Sequence, residues 1–309
     1  MSQPSIVVVG SSNTDMIIRL DRIPKPGETI LGGNFLTAHG GKGANQAVGA
    51  ARAGGNVTLV ARVGRDVFGD QAIDAWREDG IVVDHVARDA SAPSGVALIF
   101  VAKDGENSIA VASGANAKLS VADVQAARGA FAKASVCVMQ LETPLATVEA
   151  VATLAAKLGL TVILNPAPAR PLPARLLKQI SILTPNETEA ELLTGIAVKN
   201  VTSAKQAAAK LLAQGVGIVV LTLGRRGALV ADHDGARLVP GFKVKAIDTT
   251  AAGDVFNGAL AVALAEGQAL DGAVRFANAA AALSVTKPGA QPSAPKRRDI
   301  ERLVASTKS

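Results

Sequence analysis

The chain has no tyrosine, one tryptophan and seven phenylalanines, so aromatics make up only 3% of its 309 residues. Platforms for stacking bases are therefore scarce. The core has to be built from aliphatic side chains and alanine, and the 49% hydrophobic content is ample for one large α/β domain or two smaller ones. The single cysteine, Cys137, excludes an internal disulfide framework and fits a reducing compartment, so a cytoplasmic location is expected. It lies in an apolar strand pattern and reads as core filler rather than as a nucleophile. The three histidines, His39, His85 and His233, share no metal-ligating spacing, and each sits beside a Gly or Asp in an expected turn or loop. No apolar run reaches membrane-spanning length without charges, and Met1-Ser2-Gln3-Pro4-Ser5 lacks a basic segment followed by a long apolar one. A soluble protein without a membrane partner is expected. The formal charge of +6 is scattered, and its one dense run, Lys296-Arg297-Arg298, precedes an expected short C-terminal helix, so no nucleic-acid partner is expected.

What the chain does have is a junction of small and polar residues running into an apolar helical pattern: Ile247-Asp248-Thr249-Thr250-Ala251-Ala252-Gly253-Asp254-Val255-Phe256-Asn257-Gly258-Ala259-Leu260. Small side chains up to Gly253 let backbone N–H groups approach a ligand. A helix start carries unsatisfied donors and about half a positive charge, which suits an anion. Asp254 at that position is either a helix cap or a general base beside an oxyanion site. Asp248 either binds a cation or ends the preceding strand.

A second glycine-rich stretch, His39-Gly40-Gly41-Lys42-Gly43-Ala44-Asn45-Gln46-Ala47, opens a helix expected to run to about Ala53. Its spacing is neither that of a Walker A loop nor that of a GxGxxG dinucleotide loop. It is either a tight strand-to-helix turn or, with Lys42 and Asn45 one helical turn apart at its mouth, a holder of a polyol or phosphate.

Ser5-Ile6-Val7-Val8-Val9-Gly10 reads as a buried strand whose C-terminal end presents Asn13 and Asp15, where ligands sit in open α/β sheets. The stretch Val9-Gly10-Ser11-Ser12-Asn13-Thr14 lacks the glycine fingerprint of a nicotinamide-dependent dehydrogenase. Prolines and glycines between Met16 and Thr37 break the chain into strands and turns, and Ser94–Val101 with Ser108–Ala112 repeats that style around Lys103-Asp104-Gly105-Glu106. Four short strands without helices of their own make a small sheet, which should cover a site as a lid or pair with another chain. Helices are expected over Asp66–Gly80, with Trp76 packed inside, and over Ser120–Ala134. Regular α/β alternation follows, with strands ending at Glu142, Asn165, Thr184 and Thr222 and a hairpin around Asp232-His233-Asp234-Gly235. Asn186 and Glu189, three apart, share a helix face in an ordinary capping arrangement. The loop Thr286–Ser293 is expected to return to Asp248. The architecture expected is a doubly wound, mostly parallel α/β domain over residues 1–13, 38–93 and 113–309, with an inserted β-sheet lid over 14–37 and 94–112.

On these stretches the chain resembles the ribokinase-like carbohydrate kinases. Gly40 to Ala47 matches the N-terminal signature and Asp248 to Gly258 the C-terminal one. Asn13-Thr14-Asp15, Gln140-Leu141-Glu142, Pro185-Asn186-Glu187-Thr188-Glu189 and Thr222-Leu223-Gly224 fall in the family's order and approximate spacing, so the resemblance spans nearly the whole chain. It implies ATP-dependent phosphorylation of a pentose, foremost D-ribose at its 5-hydroxyl. By the same resemblance Asp254 takes the proton of the attacking hydroxyl, and the N–H groups of Ala251, Ala252 and Gly253 form an anion hole. Asn13, Asp15, Gly41, Lys42, Asn45 and Glu142 hold sugar hydroxyls. Asn186, Glu189, Thr222, Gly224, Gly227, Gly253 and Asn278 serve ATP and its magnesium. Asp248, Thr250, Ser284, Lys287, Gly289 and Ser293 hold a monovalent cation, potassium. A homodimer through the lid sheet is expected. A nucleoside or other small-sugar kinase is the nearest alternative, disfavoured for nucleosides by the shortage of aromatics near the lid, where only Phe35 and Phe100 lie. A non-catalytic sugar-binding regulator is the alternative of another class, and the presence of Asp254 weighs against it.

Overall fold

Ile6, Val7, Val8 and Val9 are all buried, and a run that is apolar on both faces belongs in the middle of a parallel sheet covered on both sides. The computed structural model, which describes residues 5–306, places it there; the N-terminal segment read above for leader signals lies, before Ser5, outside the described residues. In chain order the first elements are β1 (Ser5–Val9), β2 (Asn13–Leu20), β3 (Asn34–Gly40), α1 (Lys42–Arg52), β4 (Asn56–Gly64), α2 (Val67–Glu78), β5 (Val82–Asp89), β6 (Gly95–Ala102) and β7 (Asn107–Ala112). The middle of the chain forms α3 (Val121–Ala126), α4 (Arg128–Phe131), β8 (Val136–Met139), α5 (Leu145–Lys157), β9 (Thr161–Leu164), α6 (Ala174–Leu177), β10 (Ile182–Leu183), α7 (Glu187–Thr194) and α8 (Val201–Ala213). The last third forms β11 (Ile218–Thr222), β12 (Gly227–Asp232), β13 (Gly235–Pro240), α9 (Ala252–Ala265), α10 (Leu270–Ser284) and α11 (Arg297–Ser306).

Nine strands form one sheet in the order β13-β12-β11-β10-β9-β8-β1-β4-β5. All neighbours from β11 to β5 are parallel, and β12 and β13 extend one end as an antiparallel hairpin. From β1 the chain winds outward through β4 to β5, then returns to pair β8 on the other side of β1. That reversal opens a crevice beyond the C-terminal ends of β1 and β8. Alternate residues of β1 face opposite layers: Ile6 and Val8 belong to the core on the side of α1, α9 and α10, whereas Val7 and Val9 belong to the core on the side of α5 and α8. Alanines stand in for missing aromatics where helices meet closely, with Ala259 and Ala263 of α9 and Ala273, Ala277 and Ala280 of α10 all buried. Trp76 and Cys137 are fully buried, as expected, and burial pushes the Cys137 thiol up to about 12.

The four short strands form a second sheet in the order β3-β2-β6-β7, with β2 and β6 parallel and the outer pairs antiparallel. Its register sets Asn13 opposite both Gly40 and Gly95, which anchors this sheet at the crevice.

Some expectations need correction. The helix expected over Ser120–Ala134 is interrupted at Ala127, two residues before Gly129, a poor helix former. Three elements carry no signal in the reading above, β5, the four-residue α6 and α8. β5 is an edge strand in which Asp84, His85 and Arg88 face outward or the rim, so its pattern reads as polar loop. His39 and His85 lie in strands β3 and β5, and only His233 sits in a turn. Arg297 and Arg298 do not precede α11 but form its first turn, where Arg297 pairs with Glu266 and Glu301. Among the described residues no strand runs into Asp248, whose N–H, with that of Ile247, donates to the Val285 carbonyl.

Candidate active site

The site is built where α1 and α9 cross. A Cβ on Gly258 would lie 2.5 Å from the carbonyl oxygen of Gln46, so only glycine lets the two helices approach this closely. The approach brings Asn45 and Gln46 of α1 onto the carboxylate of Asp254 in the first turn of α9: Asn45 Nδ2 donates to Oδ2 and Gln46 Nε2 to Oδ1, each at 3.0 Å. Asp254 is buried and makes no cap, since the helix begins at Ala252 after Ala251. Burial raises its pKa, against the pull of Lys42, Asn45 and Gln46, while Glu142 adds to the rise.

Ala251 is the one non-glycine residue with positive φ among the described residues, at 58°. A left-handed alanine costs about 1–2 kcal/mol, so the turn before α9 is held in place by its surroundings. The Ala252 N–H donates to the Thr249 carbonyl at the long distance of 3.3 Å. The side chain of Asn257 reaches back to the Gly253 carbonyl at 2.8 Å.

Across the crevice, Glu142 follows β8 and occupies the start of α1: its Oε2 accepts from Lys42 N at 3.0 Å and from Ser11 Oγ at 2.5 Å. The free donors expected at that helix start are thus taken within the chain, Lys42 N by the Glu142 carboxylate and Gly43 N and Ala44 N by the hydroxyl and carbonyl of Ser11. Asp15 lies across Gly40, where a Cβ would meet its oxygens at 2.3 and 2.4 Å. Burial first, then Glu142 and Asp254, raise Asp15 to about 6. Burial would lower Lys42, but Asp254, Glu142 and Glu189 together outweigh it and hold the ammonium above its usual value. Asn13 is buried, and its Oδ1 accepts from Asn116 Nδ2 at 2.9 Å, which fixes the orientation of its amide. The Oδ1 of Asn45 is buried without a partner among the described residues, an acceptor aimed into the site.

On the other side of Asp254 a cleft of 160 Å³ is lined by Lys42, Thr184, Asn186, Glu189, Thr222 and Ala251 to Asp254. Larger surface grooves lie beside α5 and on the outer end of the second sheet, but neither gathers buried polar groups. Asn186 and Glu189 form the expected capping box of α7, each bond 2.8 Å, and still face the cleft. Burial raises the Glu189 carboxyl, with Asn186 and Lys42 opposing. Gly224 and Gly227 flank the turn after β11, both with positive φ. Asn278 lies apart from this cleft and donates to the carbonyls of Val239 and Pro240, pinning α10 to the end of β13.

The loop after α10 does return to Asp248. Thr250 N and Oγ1 donate to Asp248 Oδ1 at 2.9 and 2.6 Å, and Gly289 N to Oδ2 at 2.8 Å. Burial opposes these bonds but loses, and the carboxyl stays below its ordinary value. Ser284 and Ser293 turn their hydroxyls to the carbonyls of Ala281 and Ala290. Arg52 clamps the loop to α1, donating to the Gln291 carbonyl at 2.6 Å while paired with both oxygens of Asp79. Sequence reasoning missed Ser11, Gln46, Asn116, Asn165, Thr184 and Asn257; of these, Gln46 and Asn257 sit inside the two signatures and carried a signal.

The chain is similar over nearly its whole length to known carbohydrate kinases. The model of the pfkB family carbohydrate kinases matches residues 3–297. A ribokinase of Haemophilus influenzae is 47% identical over 295 residues, 96% of each chain. A deoxyribokinase of Salmonella typhimurium is 39% identical over 94% of this chain and 95% of its own. The structure of Arabidopsis thaliana ribokinase complexed with ribose and ATP superposes with a TM-score of 0.91 at 36% identity, covering 98% of this chain and 99% of that one.

Proposed function

The chain belongs to the pfkB family of carbohydrate kinases, and we propose that it transfers the terminal phosphoryl group of ATP to the 5-hydroxyl of D-ribose. The observation that carries the mechanism is the buried Asp254 carboxylate at the start of α9, beside both the crevice lined by polar side chains and the cleft. Asp254 takes the proton of the attacking hydroxyl. Its raised pKa brings a carboxylate towards the range useful for general base work. The N–H groups of Ala251, Ala252 and Gly253 receive the transferred phosphoryl group, Ala252 by releasing its long bond to Thr249. Phosphoryl transfer asks a protein chiefly for positioning and charge stabilisation, which the fixed turn at Ala251 supplies.

Asn13, Asp15, Gly41, Lys42, Asn45 and Glu142 hold the sugar, a set rich in acceptors as a polyol requires. Asn186, Glu189, Thr222, Gly224 and Gly227 hold ATP and its magnesium, and the raised Glu189 carboxyl is suited to a cation-bearing ligand. Asn278, expected near the adenine, lies outside the cleft, so its part in holding ATP is limited to positioning α10 against the end of β13. Asp248, the main-chain carbonyls of Thr250, Ser284, Lys287 and Gly289, and Ser293 would offer only oxygens with a single carboxylate, a donor set that suits potassium and would stiffen the turn before α9.

The second sheet serves as a lid and as the interface of a homodimer. Leu31, Phe35, Leu98, Ile109 and Val111 are exposed on or beside it, at 92%, 64%, 47%, 56% and 53%, and the edges of β3 and β7 are unpaired in the single chain. Sedimentation at micromolar concentration tests this, and a clean monomer counts against it. Among the described residues no helix is long and apolar enough to cross a membrane. The single buried cysteine fits a cytoplasmic location.

Deoxyribose is the second reading, favoured by the deoxyribokinase relative. Release of ADP from magnesium-ATP with D-ribose, deoxyribose, fructose or adenosine, each with and without potassium, separates the readings. Ribose preference with potassium stimulation is expected; deoxyribose or adenosine preference reassigns the substrate, and no turnover on any returns the chain to a binding role.

A further inference from the structure

Asp254 is one member of a buried run of amides that the proposed chemistry does not yet use. Gln46 Nε2 donates to Asp254 Oδ1 at 3.0 Å and to Asn165 Oδ1 at 3.2 Å, while Gln46 Oε1 accepts from Gln140 Nε2 at 2.6 Å. Asn165 Nδ2 continues to the Thr184 carbonyl at 3.2 Å, Thr184 Oγ1 to Asn257 Oδ1 at 2.7 Å, and Asn257 Nδ2 to the Gly253 carbonyl at 2.8 Å. The run starts on the carboxylate and ends on the carbonyl of the residue before it. Gln46 is 0% and Gln140 1% exposed, so water does not substitute for these bonds.

A glutamine amide can rotate by half a turn without changing its volume, exchanging donor for acceptor. Rotated, Gln46 would present an oxygen to the Asp254 carboxylate. Two contacts oppose this: Gln140 Nε2 donates to Gln46 Oε1, and Asn165, whose own amide is fixed by the Thr184 carbonyl, accepts from Gln46 Nε2. Gln140 does so at a cost, because its own Oε1 is buried without a partner, against the Cα of Gly10 where a side chain would otherwise stand. An unsatisfied buried acceptor calls for a reason.

We propose that Gln46 is a positioning residue that aims the Asp254 carboxylate and favours its ionised form, and that Gln140, alongside Asn165, sets the orientation of the Gln46 amide. The inference rests on Asp254 being the base. The other groups facing Asp254 are Lys42 and Asn45 from α1, Asp15 from β2, Glu142 from the loop after β8 and Glu189 from α7, with Lys42 the only cation. None of these is altered by changing Gln140, which does not touch Asp254.

The test is the pH profile of kcat/KM for Gln46→Met and Gln140→Met, with sugar binding measured by calorimetry and Asp254→Asn as a control. Loss of the donor, or release of the amide to rotate, favours the protonated carboxyl, so the acid limb moves to higher pH. The rate lost at pH 6 then exceeds that lost at pH 9 by about tenfold in both variants, with sugar affinity within about twofold of the parent. An equal loss at every pH, or an unmoved limb in Gln140→Met, overturns the proposal. If Gln46→Met does not fold, Gln140→Met decides alone, and failure of both to fold assigns the pair to the scaffold. Undiminished turnover by Asp254→Asn is a different failure, that of the base itself.

Discussion

Two sets of carboxylates, at the rim and at the centre of the same sheet, behave in opposite ways. At the rim Arg62 of β4 donates to Asp89 at 2.8 Å and to both oxygens of Asp123, at 2.9 and 3.1 Å. Asp89 also accepts from the N–H groups of Ser91 and Ala92, and these bonds hold it well below the usual range. Burial works against Asp123, but Arg62 and Ser120 overcome it. At the centre Glu142, Asp254 and Glu189 gather round one cation, Lys42, and Asp15 adds a fourth carboxyl beside Glu142 and Asp254. There burial wins, and Asp15, Asp254 and Glu189 are all raised. The residue type is the same; the number of donors per oxygen differs. A rim set saturated with donors serves stability, whereas a central set short of positive charge is completed only by ligands, the pattern expected of an active site.

Breaking the centre should affect chemistry and breaking the rim should affect stability. The largest effect is expected of Asp254→Asn: kcat falls by roughly 10² to 10⁴ while sugar affinity is largely kept, and retained turnover would remove Asp254 from the mechanism. Next, Asp15→Ala should raise the sugar KM by about 10- to 100-fold, the worth of a charged hydrogen bond with its desolvated partner, and leave ATP affinity near that of the parent. Equal losses for both ligands would point instead to folding. At the rim Arg62→Met should lower the melting temperature by roughly 4–8 °C by leaving two carboxylates without their shared cation, with turnover at 25 °C unchanged. A drop in turnover without a drop in melting temperature would erase the distinction between rim and centre.

This contrast also marks what the sequence made legible. Asp254 and the Gly40–Ala47 stretch announce themselves because local rules apply: small residues before a helix, and polar residues one turn apart. The doubly wound sheet follows from strands apolar on both faces alternating with helices. What stayed hidden depends on groups far apart in the chain. Ser11 and Glu142 are 131 residues apart, yet they share a hydrogen bond, and Asn13 meets Asn116 only because β6 runs beside β2. Neither Asn116 nor Asn165 stands in a motif. β5 was obscured for another reason: as an edge strand its outward residues are polar, and the Arg62–Asp89–Asp123 cluster that fixes it joins three elements. Asn186 and Glu189 show the limit of local reading, since they form the ordinary capping box and also line the cleft, so one spacing serves both roles.

The finest expected difference lies in Asp15 itself. Its carboxyl titrates at about 6 in the folded chain against an ordinary 3.8. Below the ordinary value it is protonated in both folded and unfolded chains and contributes nothing to the pH dependence. Between 3.8 and about 6 the folded protein binds the additional proton, so stability falls as the pH rises through that window and stays lower above it. An asparagine side chain at this position cannot ionise. Asp15→Asn is therefore expected to melt about 2–4 °C above the parent at pH 8 and together with it at pH 4, in the absence of sugar. Sugar should narrow the gap at pH 8, because the parent alone offers the hydroxyls a carboxylate. An equal gain at both pH values would assign the effect to packing, and no gain at pH 8 would mean that Lys42 compensates Asp15 fully, which would remove it from the charge-deficient set at the centre.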